Sequence, residues 1–67
     1  MTRETQTTAL TERDASQYTG MSRPFLRQAR MRGRGPAYLR VGRSIRYLIR
    51  DLDDWMAEHR VVPGQGR

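Results

Sequence analysis

Cysteine and lysine are both missing from this 67-residue chain. Without cysteine there is neither a disulfide staple nor a thiolate metal site. His59, the one histidine, has no second imidazole or thiolate to complete a ligand set, so no metal is expected. The same shortage removes the usual nucleophile and acid–base pairs, which points to a non-enzymatic protein that needs no cofactor. Apolar runs extend only a few residues, too short to span a membrane. The start, Met1 to Ala9, lacks the apolar stretch of a signal peptide, and a soluble cytoplasmic protein is expected. The most informative absence is internal: between Ala15 and Arg50 there is no Asp and no Glu.

That stretch holds nine arginines: Arg23, Arg27, Arg30, Arg32, Arg34, Arg40, Arg43, Arg46 and Arg50. The other four arginines share the rest of the chain with all seven acids, and the overall formal charge is +6. A folded surface charged so unevenly repels itself unless an anion faces it, and for a small basic domain that anion is most often nucleic acid. Guanidinium forks suit phosphate and guanine edges. GC-rich codon usage would produce the same preference over lysine, however, so the informative feature is where the arginines lie.

The length allows one domain, which buries roughly 60% of the surface exposed by its unfolded chain. Residues 1–9 are polar without periodicity, and 61–67 hold turn formers, so both read as mobile tails around a domain at 10–60. Thr11 is a helix cap, with Asp14 placed to reach back to it and Leu10 and Ala15 at the staple positions. A helix is expected over Glu12–Tyr18, with Ala15 and Tyr18 inside and Gly20 ending it. The device repeats: Ser22 caps a second helix over Arg23–Arg32, with Pro24 tolerated in its first turn. The run Gly33-Arg34-Gly35-Pro36 forbids continuation. Two short helices joined by a tight turn form the helix-turn-helix arrangement, whose second helix enters the DNA major groove.

Two alternating runs follow, Tyr38–Val41 and Ile45–Leu48, and they read as a β-hairpin. With Gly42-Arg43-Ser44 as the loop, Val41 opposes Ile45, Leu39 opposes Tyr47 and Arg40 opposes Arg46. That last pair is tolerable if a phosphate backbone or solvent lies over the face. A closing helix capped by Asp51 turns Leu52, Trp55, Met56 and His59 inward, with Trp55 as the main core side chain. The fold class is α+β, mostly α: a winged helix-turn-helix with a two-stranded hairpin wing and a closing helix.

On the second helix Phe25, Leu26 and Ala29 form the apolar arc. Opposite lie Ser22 at the cap, then Arg23, Pro24, Arg27, Gln28 and Met31, the candidate recognition face. Arg27 and Gln28 are the best base readers, because Arg can make two hydrogen bonds to guanine and Gln two to adenine. Arg30 falls beside Leu26, where it either covers the core edge with its stem or reads a base. Arg32 and Arg34 suit phosphate clamping. On the wing, Arg40, Ser44 and Arg46 face the backbone and Arg43 sits at the tip, placed to enter or straddle a minor groove. If about five phosphates are neutralised, the slope of log-affinity against log-salt should be near −4.5.

The ordered set Leu10-Thr11 with Ala15 and Tyr18, Gly20-Met21-Ser22-Arg23, Gly35-Pro36, Val41-Gly42-Arg43 with Arg46-Tyr47, and Asp51-Leu52 with Trp55 resembles small excisionase or AlpA-type members of the MerR-like winged helix-turn-helix group. The resemblance covers Leu10 to Arg60. Phe25 stands where a small hydroxyl residue is common there, and Arg30 where an apolar one is common. The resemblance implies a second helix in the major groove, a wing at the adjacent minor groove, and a recombination directionality factor. Such a factor binds repeated sites on double-stranded DNA near an attachment sequence, bends the DNA and helps an integrase excise an integrated element. A free monomer that associates cooperatively on tandem sites is the expected state, since no coiled-coil segment follows the winged region. A phage or mobile-element transcriptional regulator of the same fold, a packaging subunit, and a basic RNA-binding protein are the alternatives.

Overall fold

The computed structural model describes residues 8–64. Its elements in chain order are β1 (Ala9–Leu10), α1 (Glu12–Thr19), α2 (Arg23–Met31), β2 (Leu39–Val41), β3 (Ser44–Leu48) and α3 (Ile49–Glu58). Of the tails expected at 1–9 and 61–67, residues 1–7 and 65–67 lie outside the described residues, and 61–64 hold no helix or strand. At the inner edge of the first, Ala9 belongs to β1.

Both caps of the helix-turn-helix form as their residue types dictate. Thr11 Oγ1 accepts the Asp14 N–H at 3.1 Å, and Ser22 Oγ accepts that of Phe25 at 3.2 Å. Each satisfies one of the donors that a helix start leaves unpaired. Between the helices, Gly20 N–H closes α1 on the Ser16 carbonyl at 2.9 Å. Ser16 Oγ donates to the Met21 carbonyl at 2.6 Å, and the Met21 N–H donates to Thr19 Oγ1 at 3.1 Å. The turn is therefore held by its own hydroxyls, and the angle between α1 and α2 is set locally. At the other end of α2, the Arg34 N–H reaches the Ala29 carbonyl at 2.7 Å and the Gly33 N–H that of Arg30 at 3.1 Å. This crossed pair is the Schellman closure.

The chain then doubles back over α2 through Gly35. A Cβ at Gly35 would lie 2.8 Å from Ala29 Cβ, and φ there is +85°. Close approach and backbone angle both demand glycine. Pro36 is buried directly after it.

The sheet order is β1-β3-β2, antiparallel throughout, with Ala9 opposite Leu48 and Leu10 opposite Tyr47. The wing register corrects the expectation from sequence. Leu39 pairs with Arg46, Arg40 with Ile45 and Val41 with Ser44, so the loop is Gly42-Arg43 and the pairing has slipped by one residue. Gly42 adopts φ +61° while Arg43 stays at negative φ, which suits the two-residue loop with glycine first that matches strand twist. A one-residue slip exchanges faces. Val41 and Leu39 are thus exposed, at 71% and 39%, and Arg40 no longer opposes Arg46.

One fully buried residue comes from each of α1, α2, β3 and α3: Ala15, Leu26, Tyr47 and Leu52. Leu10, Met21, Tyr38, Ile45 and Met56 pack around them. Three sequence expectations fail at this point, the first being His59, expected inward and found exposed. Trp55 is only partly buried and lies at the rim, with its ring 6.2 Å from Phe25 and 4.7 Å from His59. Tyr18, expected inside, is 45% exposed and donates its hydroxyl to Asp53 Oδ1 at 2.7 Å, tying α1 to α3. That bond raises the phenol pKa, since ionisation would place two anions together.

The start of α3 also differs. It begins at Ile49, directly out of β3, with Leu48 at the cap position and no side-chain cap bond. Asp51 therefore sits in the first turn instead of capping. The Thr8 carbonyl accepts the Ile49 N–H at 3.1 Å, so main chain from beside β1 performs the capping role.

Candidate nucleic-acid interface

Because Leu26 is driven into the core, the opposite face of α2 is held outward. Ser22, Arg23, Pro24, Arg27, Gln28 and Met31 are all exposed, Met31 at 78%. Ser22 uses its hydroxyl oxygen in the cap, but its side chain remains at the surface. Nothing acidic lies within this face. The neutralising charge comes from α1.

Glu12 Oε1 accepts Arg27 Nη2 at 2.9 Å and Arg23 Nε at 3.3 Å, and Oε2 accepts Arg30 Nη1 at 3.4 Å. The Arg27 hydrogen bond, helped by those of Arg30 and Arg23, holds the Glu12 carboxyl below its usual pKa against the opposing effect of burial, so it is a carboxylate at neutral pH. Arg30 differs from its neighbours. Its side chain is 13% exposed, it also donates to the Tyr47 hydroxyl at 2.9 Å, and its guanidinium lies 5.7 Å from the centre of the Tyr38 ring. Of the two roles open to Arg30 from sequence, the structure places it over the core edge.

Past α2, Arg32 and Arg34 are exposed where the helix closes. On the wing, Arg40, Arg43 and Ser44 are exposed as well. Among the described residues none of these four arginines is ion-paired. Arg46 is less available: it is partly buried and donates from Nη1 to the neighbouring Ile45 carbonyl at 2.8 Å. The acids of α3 do not join this surface through ion pairs with it. Asp53 is bonded to Tyr18, and Asp54 and Glu58 are exposed.

Two helices linked by a hydroxyl-braced turn, the second presenting a basic outward face, then a hairpin with a basic tip, are the parts of a winged helix-turn-helix. A family model described as "Helix-turn-helix domain" matches residues 9–60. The chain belongs to this helix-turn-helix domain family. No curated protein matches the sequence. Helix-turn-helix domains are DNA-binding modules, and the matched region here runs from β1 to just past α3, with α1 and α2 as its helix-turn-helix. Among the described residues no helix is long and apolar enough to cross a membrane.

Two parts of this helix-turn-helix domain were not visible from sequence. Glu12 reads as a first-turn acid favoured by the helix dipole. Only folding shows that it gathers three arginines lying 11 to 18 positions away in the chain. The signal that could have found it is the spacing of Arg23, Arg27 and Arg30 along one side of α2, together with the tight turn that lays α1 beside it. The second is a cleft of about 250 Å³ between the ends of α2 and α3, where Phe25 and Trp55 form apolar walls and Arg32 and Arg34 a basic edge. Phe25, expected on the buried arc, is instead 45% exposed, with its ring 6.2 Å from that of Trp55 and tilted by 50°.

Proposed function

We propose that this domain binds duplex DNA with α2 in the major groove and the β2–β3 wing at the adjacent minor groove, and that it serves as a recombination directionality factor. The observation that supports the DNA geometry is the series of exposed arginines from the end of α2 (Arg32, Arg34) to the wing (Arg40, Arg43), none of them ion-paired among the described residues. In this reading Pro24, Gln28 and Met31, with Ser22 at the helix entry, meet base edges. Arg23 and Arg27 flank them, and Arg32, Arg34 and Arg40 hold phosphates. Arg43 straddles the minor groove at the wing tip and neutralises a flanking phosphate, with Ser44 beside it, and Arg46 stiffens the wing behind them. Gln28 takes precedence over Arg27 as base reader in this reading because Arg27 already holds Glu12, whereas Gln28 is exposed on the same helix.

One helix and one wing read a short site, so genomic specificity calls for several copies side by side or a larger partner. Monomers that associate on tandem sites and an integrase that recognises the resulting bent DNA meet that requirement. The role in excision rests on the likeness of Leu10–Arg60 to small excisionases, and it places the protein in the cytoplasm as a binding protein without catalysis of its own. Its test is to search the neighbouring genes for an integrase and to run an excision assay with that enzyme and its attachment sites. Addition of the protein should shift the reaction toward excision. Duplex binding without any change in directionality would make the protein a transcriptional regulator instead, and preference for structured RNA over duplex in a competition gel-shift would overturn the reading altogether.

Reader and clamp can be told apart by substitution. Gln28→Ala should flatten base preference, with a change of about 1–3 kcal/mol confined to the sites it reads. Arg43→Ala should weaken binding evenly across sequences and make the salt slope shallower by about 0.9. Binding measured on a panel of single-base variants distinguishes the two patterns.

A further inference from the structure

We propose that Glu12 withholds two guanidiniums of α2 from DNA of arbitrary sequence and so sets how sharply the domain discriminates its site; the proposal rests on the duplex-DNA reading above. Glu12 stands at the first position of α1, where the helix dipole favours an anion, and its side chain is 13% exposed. Its carboxylate is thus fixed on the protein side of a helix expected to face a polyanion.

The three guanidiniums around it are not equivalent. Arg30 is the permanent partner, anchored behind by the Tyr47 hydroxyl and covered by Tyr38. Arg23 and Arg27 keep 52% and 51% of their side chains exposed, and each touches the carboxylate through one nitrogen, both on Oε1. These two can exchange. A phosphate met at a random position must displace an anion already in place, and it gains only the difference between two charge-assisted bonds. The carboxylate also repels that phosphate. At a preferred site the base contacts of α2 fix the register, and those contacts do not depend on freeing either arginine. Phosphate contacts carry no sequence information. A residue that suppresses them therefore lowers generic affinity more than specific affinity.

The test compares the full chain with Glu12→Gln, which keeps a hydrogen-bond acceptor and removes the charge. Anisotropy titrations across a salt series use a labelled random-sequence duplex and a duplex enriched by the wild-type protein from a random library. Glu12→Gln should bind the random duplex about tenfold more tightly near 0.1 M salt, with a salt slope steeper by about 1.8 for the two guanidiniums released, and should gain less than about threefold on the enriched duplex. Arg23→Gln/Arg27→Gln leaves the Glu12–Arg30 contact in place. In that background Glu12→Gln should tighten random-duplex binding by less than about twofold, the remainder of its own charge repulsion, because no guanidinium is left there to release.

Equal gains on both duplexes, an unchanged slope, or an undiminished Glu12→Gln gain in the double-arginine variant would overturn the proposal while leaving DNA binding intact. A purely structural Glu12 would move the melting temperature but not the slope. Failure of the wild-type chain to bind any duplex would overturn the DNA reading and the proposal with it.

Discussion

Raising salt from about 50 to about 200 mM should weaken duplex binding by about two orders of magnitude, with a log–log slope near −3.6. The value follows from which arginines are free. Arg32, Arg34, Arg40 and Arg43 are exposed and, among the described residues, not ion-paired. Each phosphate they neutralise releases condensed counterions and contributes about −0.9 to the slope. Arg23, Arg27 and Arg30 share the Glu12 carboxylate, and Arg46 donates within its own strand. Charge counted along the sequence alone suggests about five phosphates and a slope near −4.5; the internal carboxylate is the reason for the smaller figure. The measurement is equilibrium anisotropy on one duplex over that salt range. A slope near zero would remove the electrostatic basis for DNA binding, and one near −6 would mean that the Glu12 cluster opens fully on any duplex.

Leu26→Ala should cost about 3 kcal/mol and leave the domain close to its unfolding midpoint at room temperature. Leu26 is fully buried, and among the described residues it shares the buried hydrophobic core with Ala15, Tyr47 and Leu52. A core this small has no second layer to collapse into the vacated space, so the cavity term adds to the lost transfer free energy. The effect should appear as a melting temperature lowered by more than about 10 °C, read by far-UV circular dichroism. DNA binding should fail in parallel, because Leu26 is also the anchor that holds the outward face of α2 in place. Val61→Ala, at a residue 71% exposed, is the matching control and should shift the transition by under about 0.5 kcal/mol. A Leu26→Ala protein that melts like the parent would show that α2 is not seated as described.

What the sequence made legible was whatever depends on near neighbours in the chain. Thr11 with Asp14, and Ser22 with Phe25, form caps because the partners are three residues apart and the geometry is local. The Gly33 closure of α2 is legible for the same reason. The wing shows where this ends. Its alternating pattern identifies two strands, but two registers one residue apart both leave a plausible face, and the choice fell to the backbone angle at Gly42, which makes the loop two residues long. Trp55 was misplaced because helical spacing identifies a face without saying how deeply each residue of that face lies. The smaller Tyr47, on the central strand, took the position at the centre.

By itself the sequence determined a small winged helix-turn-helix with its positive charge gathered on the second helix, joint and wing, since caps, breakers and charge are properties of adjacent residues. Tertiary structure alone decided which of those charges are free. Glu12 lies outside the acid-free stretch, and its neutralising effect on Arg23, Arg27 and Arg30 depends on a turn that brings α1 against α2. Coulomb interactions act through distance in space, and a count along the chain contains no such distances.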